Sequence, residues 1–171
     1  MSNDQRKVLA GMAAAVVFSV AFFEVAFRMT NVGPTPPGMI ETSWRLEYAL
    51  KCEVFAALCL VAGVARLANR RFFIPDAIEG GSSPSIDIDK RYLQNTLEQL
   101  VLAIVAHLAL VTIVAPESIR AVAVLVMLFV IGRVTFWIGY HVSGPARAFG
   151  FGTTFYPTVA VYAYVVSRLV A

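Results

Sequence analysis

The sequence predicts an all-α integral membrane protein, a bundle of about five hydrophobic helices. The chain is 58% hydrophobic and only 15% charged, whereas an ordinary soluble domain has roughly 25% charged residues. Its mean hydropathy is +0.72. Crossing a bilayer takes roughly 20 mostly apolar helical residues, and the 171 residues divide into five such segments with little left over. The sequence therefore leaves no room for a separate soluble domain.

The first predicted helix covers residues 8–27 and follows the basic residues Arg6 and Lys7. A basic start and a long apolar run also describe a signal peptide, but no small-x-small cleavage site follows, and the length suits a membrane span. Prolines and glycines then predict a loop over residues 29–43. A second helix is expected over residues 46–67, where it ends in a basic cluster.

The second half of the chain predicts three more helices. A hydrophilic loop over residues 72–89 precedes a third helix over residues 90–115. The Pro-Glu connection that follows is short enough only for an antiparallel hairpin, so a fourth helix runs back over residues 118–141. A Ser-Gly-Pro break separates it from a last helix over residues 149–170.

Lysines and arginines predict the orientation in the membrane. With helices alternating in direction, nine basic residues fall on the side of the N-terminus and five on the other side. Because positive residues favour the cytoplasmic side, we expect a cytoplasmic N-terminus, in a bacterial inner membrane or an endomembrane. The basic residues are scattered at segment ends, so lipid headgroups or one anionic ligand are the expected partners, and nucleic acid is not.

Three polar residues on the third predicted helix, Arg91, Asn95 and Glu98, share one stripe because they are spaced i, i+4 and i+7. A cation, an amide and a carboxylate on one stripe can hold a zwitterionic ligand. The alternative is that Arg91 and Glu98 tie helices together through buried ion pairs while Asn95 caps a neighbour. A charge at the bilayer centre costs at least about 2.5 to 3.5 kcal/mol, so these groups need partners under either hypothesis.

The last two helices carry the other candidate site residues. Arg133, Phe136 and Tyr140 share one face, and Arg133 lies deep enough to need a carboxylate or an anionic ligand, for which Glu98 is the simplest protein partner. Arg147 lies near a helix N-terminus, where backbone N–H groups also favour an anion. It can hold a thiolate, a carboxylate or a lipid phosphate, or simply anchor the helix at the headgroups.

Two further pairs are expected to be structural. Glu24 and Arg28, and Glu47 and Lys51, are each four residues apart on a predicted helix and should form ion pairs. The two histidines are too isolated to suggest a metal site. No phosphate-binding loop, dinucleotide-binding turn or nucleophile elbow occurs in the sequence.

Several ordered motifs resemble the MAPEG family, the membrane-associated proteins of eicosanoid and glutathione metabolism. They are Arg91-Tyr-Leu-Gln-Asn95-Thr-Leu-Glu98 at the start of an apolar helix, Gly132-Arg133 with Tyr140 one hairpin later, and then Pro145-x-Arg147. The resemblance covers residues 46–171 and implies a four-helix transmembrane bundle. Residues 1–45 would then add one N-terminal transmembrane helix and a Pro/Gly-rich loop.

The resemblance also implies a homotrimer that binds glutathione between neighbouring subunits near the cytoplasmic face. The positions that match the family's glutathione-binding residues are Arg66, Arg91, Asn95, Glu98, Tyr140 and Arg147. Arg133 matches the family's buried arginine. In this arrangement Glu98 would bind the amine of glutathione, and the arginines would bind its carboxylates. Arg147 would act catalytically by stabilising the thiolate.

This sequence departs from catalytic members of the family at Gln94, Phe136 and Ala148, which leaves fewer hydrogen bonds to the peptide. The motif that begins at Arg147, Arg-Ala-Phe-Gly-Phe-Gly, is similar to a mattrin-like branch. Two hypotheses follow: a glutathione-dependent transferase or peroxidase acting on lipophilic electrophiles, or a non-catalytic lipid-binding or scaffold protein of the same fold. A small transporter or channel fits less well, because the polar residues gather at one membrane face.

Overall fold

The computed structural model describes residues 1–34, 38–74, 81 and 83–171. Every regular element within these residues is helical, which confirms the predicted all-α class. The α-helices are α1 (Asn3–Thr30), α2 (Thr42–Phe73), α3 (Pro84–Ile113), α4 (Ala121–Val142) and α5 (Arg147–Val170). Single 3-10 turns, Pro116–Ser118 and Gly144–Ala146, connect α3 to α4 and α4 to α5.

Helices α1 and α3 begin earlier than the apolar runs predict, because polar residues cap them. Ser2 and Gln5 form a capping box at the start of α1, with the Gln5 N–H 3.2 Å from the Ser2 hydroxyl. Ser83 caps α3 by accepting a hydrogen bond from the Ile86 N–H at 3.4 Å, and Pro84 occupies the first turn of the helix. The predicted start of the third helix at residue 90 was therefore wrong. Part of the predicted hydrophilic loop, residues 75–80 and 82, lies outside the described residues.

Four segments of the described chain are long and apolar enough to cross a membrane: Asn3–Thr30, Thr42–Phe73, Pro84–Ile113 and Pro116–Val142. Their most apolar windows have mean hydropathies of 2.2, 1.8, 1.9 and 2.3. Threonines, tyrosines and glycines dilute the apolar residues of α5, which is not among the four. The protein is therefore an integral, multi-pass membrane protein, and a fifth span through α5 stays a prediction.

Small residues allow α5 to pack closely between α4 and α1. A Cβ atom at Gly150 would overlap the backbone of Phe136 in α4. A Cβ atom at Gly152 would lie 2.8 Å from the Cβ of Ala15 in α1. Small residues at such contacts let membrane helices approach closely. The N-terminal helix is therefore packed against the four-helix domain, although only 11% of its most apolar window is buried.

The bundle has two ends. The amino-terminal end carries the N-terminus and the α2–α3 and α4–α5 connections, and the opposite end carries the α1–α2 and α3–α4 connections. At the opposite end, Arg45 donates to the carbonyl oxygens of Met39 and Val114 at 2.7 and 2.9 Å. Arg120 donates to the carbonyl oxygens of Thr30 and Val32 at 3.1 and 3.2 Å. These carbonyl groups lie at helix ends or in the α1–α2 connection, where helical hydrogen bonds are not available to them.

Candidate functional site

Arg133 lies at the centre of a polar network near the amino-terminal end, and its side chain is 0% exposed. Its guanidinium donates to Asn95 Oδ1 of α3 at 2.8 Å and to the hydroxyl of Thr154 in α5. It also lies 4.6 Å from the ring centroid of Phe136. The predicted pairing of Arg133 with Glu98 was wrong, because neutral acceptors on two other helices bind the guanidinium. The network therefore joins α3, α4 and α5.

Two arginines of α2 share one carboxylate of α3. The guanidinium groups of Arg66 and Arg70 lie 3.0 and 2.9 Å from the two oxygens of Asp89. The Asp89 side chain is 2% exposed, so its charge depends on these partners. Arg66 also stacks over the ring of Trp137 at 4.8 Å. Arg66 thus holds α2 against α3 and α4, a contact that sequence reasoning missed.

The predicted stripe on α3 is divided between two environments. Asn95 is half-buried and faces Arg133, whereas Arg91 and Glu98 are exposed on the surface of the monomer. Glu98 accepts a hydrogen bond from Gln94 Nε2 at 2.8 Å, and Arg91 forms no hydrogen bond or ion pair with the rest of the described chain. The expected buried ion pairs of Arg91 and Glu98 are therefore wrong within one chain, and Asn95 accepts from Arg133 rather than capping a helix.

Tyr140 and Arg147 lie together at the start of α5. The Arg147 guanidinium lies 4.8 Å from the centroid of the Tyr140 ring, and the Tyr140 ring packs edge-on against Phe136 at 5.0 Å. Arg147 is half-buried, and no carboxylate within the described residues pairs with it. A cation–π contact of this kind orients a guanidinium without neutralising its charge. Arg147 therefore keeps its capacity to bind an anion.

The three departures from the family pattern have visible packing roles. Gln94 holds Glu98 in place, Phe136 packs against the guanidinium of Arg133, and Ala148 lies against Gly11 of α1. A Cβ atom at Gly11 would lie 3.3 Å from the Cβ of Ala148, so a larger residue at position 148 would push α1 away. Each of the three residues thus has a contact inside this chain.

A buried acid–base pair was missed by sequence reasoning. Glu53 Oε1 of α2 lies 2.5 Å from His107 Nδ1 of α3, and the two side chains are 5% and 3% exposed. Both histidines were expected to be too isolated for a metal site, and no role was predicted for Glu53. A carboxylate inside an apolar run was the available signal, because such a charge needs a partner. No group of three or more metal-binding side chains occurs within the described residues.

Expected ion pairs between neighbouring turns are confirmed. Arg28 pairs with Glu24 in α1, with the Arg28 Nε 2.6 Å from the carboxylate, and Lys51 pairs with Glu47 in α2 at 2.5 Å. All four side chains are more than half exposed. Such exposed pairs contribute little to stability.

Comparisons with known proteins agree with this architecture. The MAPEG family model matches residues 48–167. Transmembrane protein 79 of Mus musculus is 26% identical over 162 residues, which cover 93% of this chain and 40% of the mouse protein. The Bos taurus counterpart is 25% identical over 158 residues, covering 91% of this chain and 39% of its own length. The chain thus spans about two fifths of these relatives.

No solved structure matches this chain significantly. Transmembrane protein 79 is also called mattrin, which agrees with the mattrin-like motif at the start of α5. The family match extends from the second turn of α2 into the last turn of α5, and therefore covers most of α2 to α5 while excluding α1. This chain belongs to the MAPEG family.

Proposed function

We propose that this protein binds glutathione at its amino-terminal end, between neighbouring copies of the chain, and transfers the peptide's thiolate to lipophilic electrophiles. One observation carries the proposal: Arg147 is a half-buried guanidinium that begins α5 and has no carboxylate partner within the described residues. The positive end of the helix dipole lies at the same place. Both features favour a bound anion.

The chemistry follows from the state of the thiol. A free cysteine thiol has a pKa of about 8.5 and is mostly protonated at neutral pH. A nearby guanidinium favours the thiolate, which is the nucleophilic form. Tyr140 fixes the guanidinium of Arg147 from one side. A lipophilic electrophile would reach the thiolate laterally from the bilayer. With an aryl halide, the thiolate sulfur forms a bond to the ring carbon, the carbon–halogen bond breaks and halide leaves.

The exposed charges of α3 support a site that two chains share. Arg91 and Glu98 offer a cation and a carboxylate, which complement the carboxylates and the amine of glutathione. Both side chains are exposed in the single chain, and charged groups facing lipid near membrane depth are costly. A neighbouring copy in a homotrimer would cover them. Asn95 and Arg133 serve this site indirectly, because they bind each other inside the bundle. Arg66, which the family resemblance also assigned to glutathione, faces the cleft between α2 and α4 and has no direct part in this proposal.

Turnover with glutathione and a lipophilic aryl halide tests the catalytic part of this proposal. Arg147→Ala should lower kcat by about 100-fold, a loss typical of removing a group that stabilises a developing or bound anion. Arg71→Ala, which removes an exposed arginine at the same end of the bundle, is the control and should retain turnover. Unchanged kcat in Arg147→Ala would contradict the proposal.

A second candidate is a non-catalytic lipid-binding or scaffold protein. The observation that favours it is the engagement of Arg66, Asn95 and Arg133 with partners inside the chain. In this case these three residues hold the helices together, and the protein has no binding site for glutathione. The wild-type protein would then show no turnover, and glutathione would not change its thermal stability.

A further inference from the structure

A cleft of about 540 Å³ lies between α2 and α4. Its volume falls within the roughly 300–1,000 Å³ of small-molecule sites. The cleft is amphipathic along its length. Phe55, Leu58 and Val130 line the part nearer the middle of the bundle, and Arg66 and Trp137 line the part nearer the amino-terminal end. An occupant must therefore be apolar at one end and polar at the other.

Arg66 lines the polar part of the cleft, and Arg70 lies four residues further along α2, beyond the lining residues. Arg66 and Arg70 both pair with Asp89, so two cations share one carboxylate. Their side chains are 35% and 31% exposed, which leaves donors of each guanidinium accessible. One positive charge is thus uncompensated among the described residues around Asp89. This arrangement complements an anion, and a guanidinium binds phosphate oxygens with paired hydrogen bonds.

Polar groups of α3 and α4 complete this end of the cleft. The indole N–H of Trp137 is buried and has no hydrogen-bond partner within the described residues. Tyr92 also lines the cleft, and its side chain is 7% exposed. The Tyr92 ring packs on Gly63, where a Cβ atom would lie 3.1 Å from the ring. The cleft therefore has a defined polar wall.

The length of the cleft matches one leaflet of a bilayer. Phe55 and Arg66 are separated along α2 by eleven residues, which corresponds to about 16.5 Å of helix. Half of a typical hydrocarbon core is about 15 Å. An acyl chain in the apolar part would therefore place its headgroup beside Arg66, at the depth where a phosphate normally lies.

We propose that the α2–α4 cleft binds an anionic phospholipid. The phosphate accepts hydrogen bonds from Arg66 and Arg70, and one acyl chain lies along the cleft toward Phe55. This site is separate from the glutathione site, because it uses the face between α2 and α4 and not the exposed stripe of α3. The lipid would fix α2 against α4 in the assembled protein.

The preference for an anionic headgroup is tested with the 171-residue protein in detergent. Phosphatidylglycerol or phosphatidylcholine with identical acyl chains is titrated in, and the thermal midpoint is recorded. A saturable rise with phosphatidylglycerol alone is expected. Arg66→Gln should weaken the apparent affinity about tenfold, since Arg70 still pairs with Asp89, while Arg71→Gln should leave it unchanged. Equal rises with both lipids, or the same rise with inorganic phosphate, would overturn the proposal.

The position of the acyl chain in the cleft is tested by a matched pair of substitutions. Ala62 lines the cleft, whereas Ala65 is exposed on α2 outside it. Ala62→Phe should abolish the response to phosphatidylglycerol, and Ala65→Phe should preserve it. An unchanged response in Ala62→Phe would overturn the proposal. Glutathione titration of Ala62→Phe separates the two proposals, because the glutathione response should survive where the lipid response is lost.

Discussion

Basic residues are used differently at the two ends of the bundle. At the opposite end, Arg28 and Lys51 pair with glutamates one turn away, and Arg45 and Arg120 donate to helix-end carbonyls. At the amino-terminal end, the exposed arginines of α2 and α3 and the half-buried Arg147 have no carboxylate partner within the described residues. Four of the five basic residues at the opposite end, all but the exposed Arg168, thus have partners in their own chain, whereas the amino-terminal end has charge available for a ligand.

The largest expected effect comes from removing the centre of the polar network. Arg133→Ala should lower the free energy of unfolding by about 2–6 kcal/mol, because Asn95 and Thr154 both lose their hydrogen-bond partner, at about 1–3 kcal/mol for each buried group. Denaturation in detergent measures this loss. Arg91→Ala is the control and should change stability by less than about 0.5 kcal/mol, since the Arg91 side chain is exposed. A small loss in Arg133→Ala would show that the network does not hold the amino-terminal end together.

The close contact between α4 and α5 gives the next largest effect. A Cβ atom at Gly150 would overlap backbone atoms of Phe136, whereas one at Gly144 meets nothing within 4 Å. Gly150→Ala should therefore destabilise the protein by about 1–3 kcal/mol through overpacking, and Gly144→Ala should be nearly neutral. Thermal midpoints of the two variants measure the difference. Equal midpoints would contradict the described α4–α5 packing.

Capping at the opposite end gives the smallest of these effects. Arg120→Ala should cost about 1 kcal/mol, because its hydrogen bonds to the carbonyls of Thr30 and Val32 are partly exposed. Limited proteolysis should show faster cleavage after α1 in this variant. Arg168→Ala, at the exposed end of α5, is the control and should leave the cleavage rate unchanged. An unaltered rate in Arg120→Ala would show that the carbonyl contacts do not restrain the chain.

The apolar runs predicted the helices well, because a membrane-spanning segment is defined by its composition. Helix starts were predicted less well, since Ser83 and Pro84 are polar or helix-breaking residues that nevertheless begin α3. The partner of Arg133 could not be predicted from charge, because Asn95 and Thr154 are neutral acceptors brought together by helix crossing.

The contacts of the candidate site residues were also only partly predictable from the sequence. Matching positions to the family pattern identified Tyr140 and Arg147, which the structure brings together. It could not separate Arg66 and Asn95, which the bundle uses internally, from Arg91 and Glu98, which remain exposed. Which of these side chains face the bundle interior depends on the rotation of each helix about its axis. Successive residues of a helix point about 100° apart.

Thermal stability during glutathione titration is the most direct test of a ligand at the amino-terminal end. A ligand that binds only the native state must raise the midpoint as its concentration increases. We predict a saturable rise in the detergent-solubilised wild-type protein and its loss in Glu98→Ala, with Glu117→Ala, an exposed glutamate at the opposite end, retaining the rise. No shift at millimolar glutathione, or an equal shift in Glu98→Ala, would contradict the proposed glutathione site.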